Sequence, residues 1–83
     1  MYSVYALYNK KHKKIYVGQT EDLDLRLLLH KKRLFSGSYT ARFDGEWKLI
    51  YQEKLGTRQQ ALEREKQLKS YRGREFIKTH IPR

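Results

Sequence analysis

The first twenty residues constrain the fold most, because they have the pattern of a β-hairpin. Two runs rich in β-branched and aromatic residues, YSVYALY at 2–8 and IYVGQ at 15–19, flank the polar segment NKKHKK. Runs of this composition separated by a short polar loop are typical of paired antiparallel strands. If Tyr8 pairs with Ile15, the alternation of side chains along each strand places Tyr5 and Tyr16 on the same face of the sheet.

The middle of the chain predicts a helix and a third strand. Thr20, followed by two acidic residues, is typical of a helix start, and this helix is expected to extend to about Lys32. Residues 46–54 alternate between apolar and polar side chains, which indicates a strand with Trp47, Leu49 and Tyr51 on one face.

The last third of the chain predicts two helices. Thr57 and Gln60 have the spacing of a capping box, so a helix is expected from there to about Ser70. The segment YRG at 71–73 is expected to end it, and residues 74–80 form a short last helix. The predicted order is β-β-α-β-α-α, an α+β fold with a small, mostly antiparallel three-stranded sheet flanked by helices.

Composition limits the function. The 83 residues suffice for one domain, 1–83, and the 39% hydrophobic content argues against disorder. Nineteen Lys and Arg against nine Asp and Glu give a net charge of +10, which favours a polyanionic partner, most often nucleic acid. The absence of Cys excludes disulfides, thiol nucleophiles and Cys-based zinc sites. Without a long apolar run or signal-peptide pattern, a soluble cytoplasmic monomer that does not contact membranes is expected.

Three charged or titratable residues lie at helix positions where leucine is expected. Arg26 and His30 border the stripe that contains Leu23, and Glu65 falls between Ala61 and the next apolar turn. A salt bridge between Glu65 and Arg26 would explain two of them without any function. The alternative is a shared site of carboxylate, guanidinium, imidazole and two phenols, which suits phosphodiester cleavage with a Mg²⁺ that keeps most of its waters.

Four short motifs contain these residues, and their order resembles the GIY-YIG nuclease superfamily. They are SVY at 3–5, IYVG at 15–18, DLDLRLLLH at 22–30 and EREKQLK at 63–69. The chain is similar to small stand-alone UPF0213-type proteins and to the N-terminal nuclease domain of the excision-repair enzyme excinuclease ABC. The resemblance implies a GIY-YIG fold and a metal-dependent endonuclease that acts on nucleic acid, DNA rather than RNA, in repair or processing.

The resemblance also implies a role for each matching residue. Tyr5 and Tyr16 match the two signature tyrosines, and which of them takes the proton from water stays open. Arg26 matches the arginine that contacts the scissile phosphate. His30 matches a His or Tyr that assists proton transfer or supports a catalytic tyrosine. Glu65 matches the metal-binding glutamate, with a single Mg²⁺ or Mn²⁺ expected.

The remaining matches and departures concern the backbone and single polar side chains. Gly18 matches a glycine that allows close approach of the backbone. Ser3 stands where the signature has glycine, and Gln19 stands where the excision-repair domain has lysine. Asn9 is the sole asparagine, so the late asparagine of several family nucleases has no counterpart.

Several of these residues also have an ordinary structural interpretation. The two tyrosines could be strand aromatics, and the lysines at 10–14 are interpreted as a solvated hairpin tip. Four cations are predicted to follow a nucleic-acid backbone, although a basic surface helix would have the same pattern: Lys69, Arg72, Arg74 and Lys78. The functional alternatives are a module that binds nucleic acid without cutting it and, with little support, a protein-interaction adaptor.

Overall fold

The computed structural model of the chain describes residues 1–31 and 43–82, apart from the side chains of His30 and Lys31. The elements, in chain order, are β1 (Tyr2–Asn9), β2 (Lys14–Thr20), α1 (Leu23–Lys31), β3 (Trp47–Leu55), α2 (Arg58–Lys69) and α3 (Tyr71–Lys78). This order confirms the predicted α+β class. Within the described ranges, no helix combines the length and the apolar composition that crossing a bilayer requires.

The sheet has β1 at its centre, with the order β2-β1-β3, and both pairings are antiparallel. Tyr8 lies opposite Ile15, as predicted, and Tyr5 lies opposite Gly18. Since Tyr16 lies opposite Leu7, it shares a face of the sheet with Tyr5. The register expected from the hairpin is therefore confirmed.

A bulge in β3 makes one prediction wrong. Leu49 lies opposite Leu7, but Tyr51 lies opposite Ala6, so Ile50 is an extra residue between the two pairs. Because neighbouring residues of β1 point to opposite faces, Tyr51 does not share a face with Leu49. Tyr51 packs instead against the core on the other side of the sheet.

The core lies between one sheet face and helices α2 and α3. Its buried side chains come from all of these elements: Val4, Ala6, Val17, Ala61, Leu68 and Ile77. The opposite face of the sheet contributes Tyr5 and Leu7, each 1% exposed. Tyr5 is therefore held in the central strand with its side chain directed away from the main core.

Helix α1 begins later than the sequence pattern suggests. The backbone N–H of Leu25 donates to the Asp22 carboxylate at 3.0 Å, and the N–H of Arg26 donates to the Asp22 carbonyl at 3.1 Å. Asp22 is thus the N-cap, and Thr20 Oγ1 instead accepts from the Asp22 N–H at 3.2 Å. Two side-chain caps follow one another, which fixes the turn between β2 and α1.

Helix α2 has the predicted capping residue. The N–H of Gln60 donates to Thr57 Oγ1 at 3.2 Å. The side chain of Gln60 reaches back one residue further than in a standard capping box, because its Oε1 accepts from the N–H of Gly56 at 3.2 Å. Both ends of the pattern are satisfied, so the helix begins where the sequence indicates.

Helix α3 begins earlier than predicted, and Gly73 lies inside it. Ser70 ends α2 and also caps α3, since its Oγ accepts from the N–H of Gly73 at 3.3 Å. A β carbon at position 73 would lie 2.1 Å from the Gln67 carbonyl oxygen and 2.4 Å from Leu68 Cα. The glycine therefore allows the two helices to pack closely, and it is not a helix terminator here.

Replacing Gly73 with alanine is expected to lower the free energy of unfolding by about 1–3 kcal/mol. The added methyl group meets backbone atoms of α2, which cannot rotate away as a side chain would, so α3 must shift. Gly56→Ala is the matched control, because its nearest contact is a flexible glutamine side chain at 3.5 Å. Urea unfolding of both variants measures the difference, and equal midpoints would contradict the packing argument.

The tip of the β1–β2 hairpin is fastened to the residues that precede β3. Asn9 is fully buried, and its Nδ2 donates to the Asp44 carbonyl at 2.9 Å while its Oδ1 accepts from the His12 N–H at 3.1 Å. The Asp44 carboxylate pairs with Lys11 and with His12 Nε2. The hydrogen bond from Lys11, and after it that from His12, lowers the pKa of Asp44 from 3.8 to about 2.

Part of the stability of this fastening is expected to disappear in acid. A carboxyl group with a lower pKa in the folded state stabilises the fold above its unfolded pKa of 3.8, and the contribution is lost as the pH falls through about 2. The difference in unfolding free energy between the parent and Asp44→Asn should therefore shrink across that interval. Denaturant titrations at several pH values measure it, with Glu46→Gln as a nearby exposed control. A difference that does not change with pH would contradict the ion pairs.

Candidate active site

Two tyrosine side chains converge above Gly18. The ring centroids of Tyr5 and Tyr16 lie 6.1 Å apart, with 47° between the ring planes. A β carbon on Gly18 would lie 2.9 Å from the Tyr5 hydroxyl and 3.1 Å from the Tyr16 hydroxyl. Glycine at this position therefore leaves the space that both hydroxyl groups occupy, and any side chain would displace them.

The buried member of this pair is Tyr5. Burial raises its pKa far above 10.0, and the neighbouring Tyr16 raises it further by its charge and by a hydrogen bond. Glu65 acts in the same direction, whereas Arg26 opposes it. Tyr5 therefore keeps its proton near neutral pH, and four of the predicted site residues share one electrostatic environment.

Arg26 lies in the first turn of α1, where the Asp22 cap fixes its position. It is half-buried and lines a cleft of about 400 Å³ at the end of β2. Arg58 at the start of α2 lines the same cleft, together with the side chain of Gln19. Two guanidinium groups at one opening favour an anionic ligand such as phosphate.

Glu65 lies at the border of the buried face of α2. Its neighbours Ala61 and Leu68 are buried, but Leu62 is 44% exposed, so the expectation that Glu65 lies in the middle of the apolar face is wrong. The Glu65 side chain is 21% exposed, and Oε2 accepts from Lys69 Nζ at 3.0 Å. The ion pair of Glu65 is thus with the next turn of its own helix.

A basic cleft of about 460 Å³ lies beside β2. Five cationic side chains line it, together with Ile15, Tyr16 and Val17 of the strand: Lys13, Lys14, Lys69, Arg74 and Lys78. Three of the four cations predicted to bind nucleic acid are among them, whereas Arg72 is exposed on α3 and does not line the cleft. Tyr16 therefore belongs both to the phenol pair and to the basic cleft.

Comparisons with known proteins identify the fold. A family model described as the GIY-YIG catalytic domain matches residues 1–78. The chain belongs to the GIY-YIG family. The structure is similar to the solution NMR structure of the UPF0213 protein BH0048 from Bacillus halodurans, with a TM-score of 0.55 and 27% sequence identity over 95% of this chain and 84% of that chain. A search of the curated proteins finds no match.

These findings confirm the resemblance to a small stand-alone GIY-YIG protein and the GIY-YIG fold. The GIY-YIG domain is a catalytic domain of nuclease type, and its family acts on nucleic acid, generally with a divalent metal. The roles of the individual residues remain predictions. His30 belongs to α1, but its side chain lies outside the described residues.

The polar side chains of the GIY-YIG domain fit a hydrated metal ion. Across residues 1–31 and 43–82, no three His, Asp or Glu side chains form a group that could hold a metal ion. Glu65 offers a single, partly exposed carboxylate whose charge acts on Tyr5. One carboxylate with open space beside it suits Mg²⁺ or Mn²⁺, because Mg²⁺ in particular loses its waters reluctantly.

Sequence reasoning missed three cations of the GIY-YIG domain. The sequence places Lys13 and Lys14 at a solvated hairpin tip, but they line the basic cleft. Their closeness to Tyr16 along β2 was the signal that could have indicated this. Arg58 had no such signal, because only the packing of α2 brings it near Arg26.

Proposed function

We propose that this GIY-YIG domain is an endonuclease that hydrolyses phosphodiester bonds of nucleic acid, DNA in the first instance, with one Mg²⁺ or Mn²⁺. The observation that carries the proposal is the position of Tyr16, whose phenol adjoins Tyr5 on one side and the basic cleft on the other. A backbone held by the cations of the cleft would place a phosphate beside a group that can accept a proton.

The two tyrosines have different roles in this proposal. Tyr16 lines the cleft, so as a phenolate it can take the proton of an attacking water. Tyr5 is 1% exposed and keeps its proton, so its hydroxyl donates to the Tyr16 oxygen and orients it. The geometry thus favours Tyr16 as the general base and Tyr5 as a positioning residue.

The charged residues act on the phosphate. The Arg26 guanidinium offers parallel donors for the nonbridging oxygens and stabilises the charge that develops there. Glu65 would hold the metal, which supplies Lewis-acid stabilisation of the phosphate and its leaving oxygen. His30 remains the predicted assistant in proton transfer. As water oxygen bonds to phosphorus, its proton passes to Tyr16 and the bond from phosphorus to the leaving oxygen breaks.

The proposal is tested by cleavage of labelled single-stranded, duplex, flap and branched DNA and single-stranded RNA. Each substrate is incubated with Mg²⁺, with Mn²⁺ or with EDTA. We expect cleavage of at least one DNA substrate with metal and none with EDTA. Cleavage of RNA alone would overturn the choice of DNA. Binding of every substrate without cleavage would instead support the non-catalytic nucleic-acid-binding module.

The proposed setting follows from the same chemistry. A small basic domain that cuts branched or flapped DNA would act in repair or processing, and the compartment we propose for it is the cytoplasm. The substrate panel decides between these uses, because a repair enzyme should prefer branched or flapped substrates to a plain duplex. Equal cleavage of every DNA substrate would contradict a role defined by structure.

A further inference from the structure

Lys69 belongs to two parts of the molecule at once. Its Nζ donates to Glu65 Oε2 at 3.0 Å, and the same side chain lines the basic cleft beside β2. The Lys69 side chain is 51% exposed, so it is not held in place by surrounding atoms. The ammonium group therefore lies between the predicted metal ligand and the predicted path of the nucleic acid.

A metal ion and the Lys69 ammonium compete for the same carboxylate. Both are cations, and placing them together on Glu65 brings like charges within a few ångströms, which is unfavourable even near water. An ion pair one helical turn apart on an exposed helix surface is weak, so breaking it costs little. Occupation of Glu65 by a metal ion is thus expected to release Lys69.

The cleft determines where the released ammonium can be stabilised. Four further cations line it, namely Lys13, Lys14, Arg74 and Lys78. Without an anion their charges repel Lys69, and Glu65 is the favourable partner that the structure shows. A backbone phosphate in the cleft reverses this preference, because it attracts all five groups.

We propose that Lys69 moves from Glu65 to a phosphate in the basic cleft when metal binds, so that metal binding and nucleic-acid binding strengthen each other. This inference rests on the proposed function, since it takes Glu65 as the metal ligand and the cleft as the phosphate site. Coupling of this kind is reciprocal: whatever factor metal adds to nucleic-acid affinity, nucleic acid adds to metal affinity.

The test compares Lys69→Met with Lys66→Met in binding measurements without turnover. Lys66 is an exposed residue in the last turn of the same helix, so it controls for general loss of charge and for the helix dipole. Free Mn²⁺ is followed by electron paramagnetic resonance. Binding of a fluorescein-labelled phosphorothioate oligonucleotide, which resists cleavage, is followed by anisotropy at constant ionic strength, with and without Mn²⁺.

Three results are expected for Lys69→Met. Without oligonucleotide, Mn²⁺ affinity rises by roughly threefold, because the competing ammonium is gone. Without metal, oligonucleotide affinity changes less than twofold, since Lys69 is then occupied by Glu65. With Mn²⁺, oligonucleotide affinity falls by roughly threefold to tenfold relative to the parent, and the enhancement by Mn²⁺ decreases accordingly.

The outcomes separate this inference from the proposed function. Equal effects of Lys66→Met and Lys69→Met would indicate only the general field and would overturn the exchange. If Glu65→Gln abolishes Mn²⁺ binding while Lys69→Met changes neither affinity, the exchange is wrong and the metal assignment stands. If Glu65→Gln leaves Mn²⁺ binding unchanged, the metal assignment fails and the exchange fails with it.

Discussion

Replacing Glu65 with glutamine is expected to reduce metal-dependent DNA cleavage by roughly 100- to 1,000-fold. The substitution preserves the size of the side chain and its ability to accept a hydrogen bond, but it removes the charge that would hold a divalent cation. Because the described residues contain no group of three ligands that could compensate, the loss should not be recovered by a neighbouring carboxylate. Initial rates at a series of Mg²⁺ and Mn²⁺ concentrations measure it.

Glu63→Gln is the matched control for this experiment. Glu63 is an exposed glutamate of the same helix, and its carboxylate contacts only the side chain of Gln59, at 3.5 Å, among the bonds the structure gives it. It should therefore retain the parent rate within about twofold, as surface substitutions usually do. Equal activity of Glu65→Gln and the parent would show that Glu65 is not the metal ligand.

Replacing Tyr16 with phenylalanine is expected to reduce the turnover number by roughly 100- to 10,000-fold with little change in KM. The ring and its packing against Tyr5 remain, and only the oxygen that would accept the proton is removed. The cations of the cleft are untouched, so substrate binding should persist. Single-turnover cleavage together with anisotropy binding separates the two quantities.

Tyr5→Phe distinguishes a general base from a positioning residue. Its loss should lower the rate less than the loss of Tyr16, because Tyr5 keeps its proton and acts by orienting Tyr16. Tyr71→Phe, at a position 79% exposed, serves as the control for removing a phenol from the surface. A larger effect of Tyr5→Phe than of Tyr16→Phe would exchange the two roles.

Local sequence signals predicted the parts of the fold that depend on neighbouring residues. The hairpin register followed from the pairing of Tyr8 with Ile15, and the start of α2 followed from Thr57 and Gln60. The bulge at Ile50 could not be predicted in the same way, because it depends on how β3 pairs with β1 across a long segment of chain. Gly73 has the pattern of a helix break, and only the close contact between α3 and α2 explains it.

The same distinction applies to the candidate site. The phenol pair above Gly18 follows from strand alternation in one hairpin, so the sequence was sufficient to predict it. The basic cleft joins the hairpin to two helices near the end of the chain, and no local pattern connects Lys14 with Lys78. For that reason the sequence indicated which side chains were basic, but not which of them would face one another.

The position of β2 at the edge of the sheet has a consequence for self-association. An edge strand offers backbone groups to which a strand of another copy can add, and lysine along such an edge is a common protection. The cations of the cleft lie along this edge, so they also keep copies of the chain apart by repulsion. Resistance to aggregation and retention of the substrate are thus properties of the same five side chains.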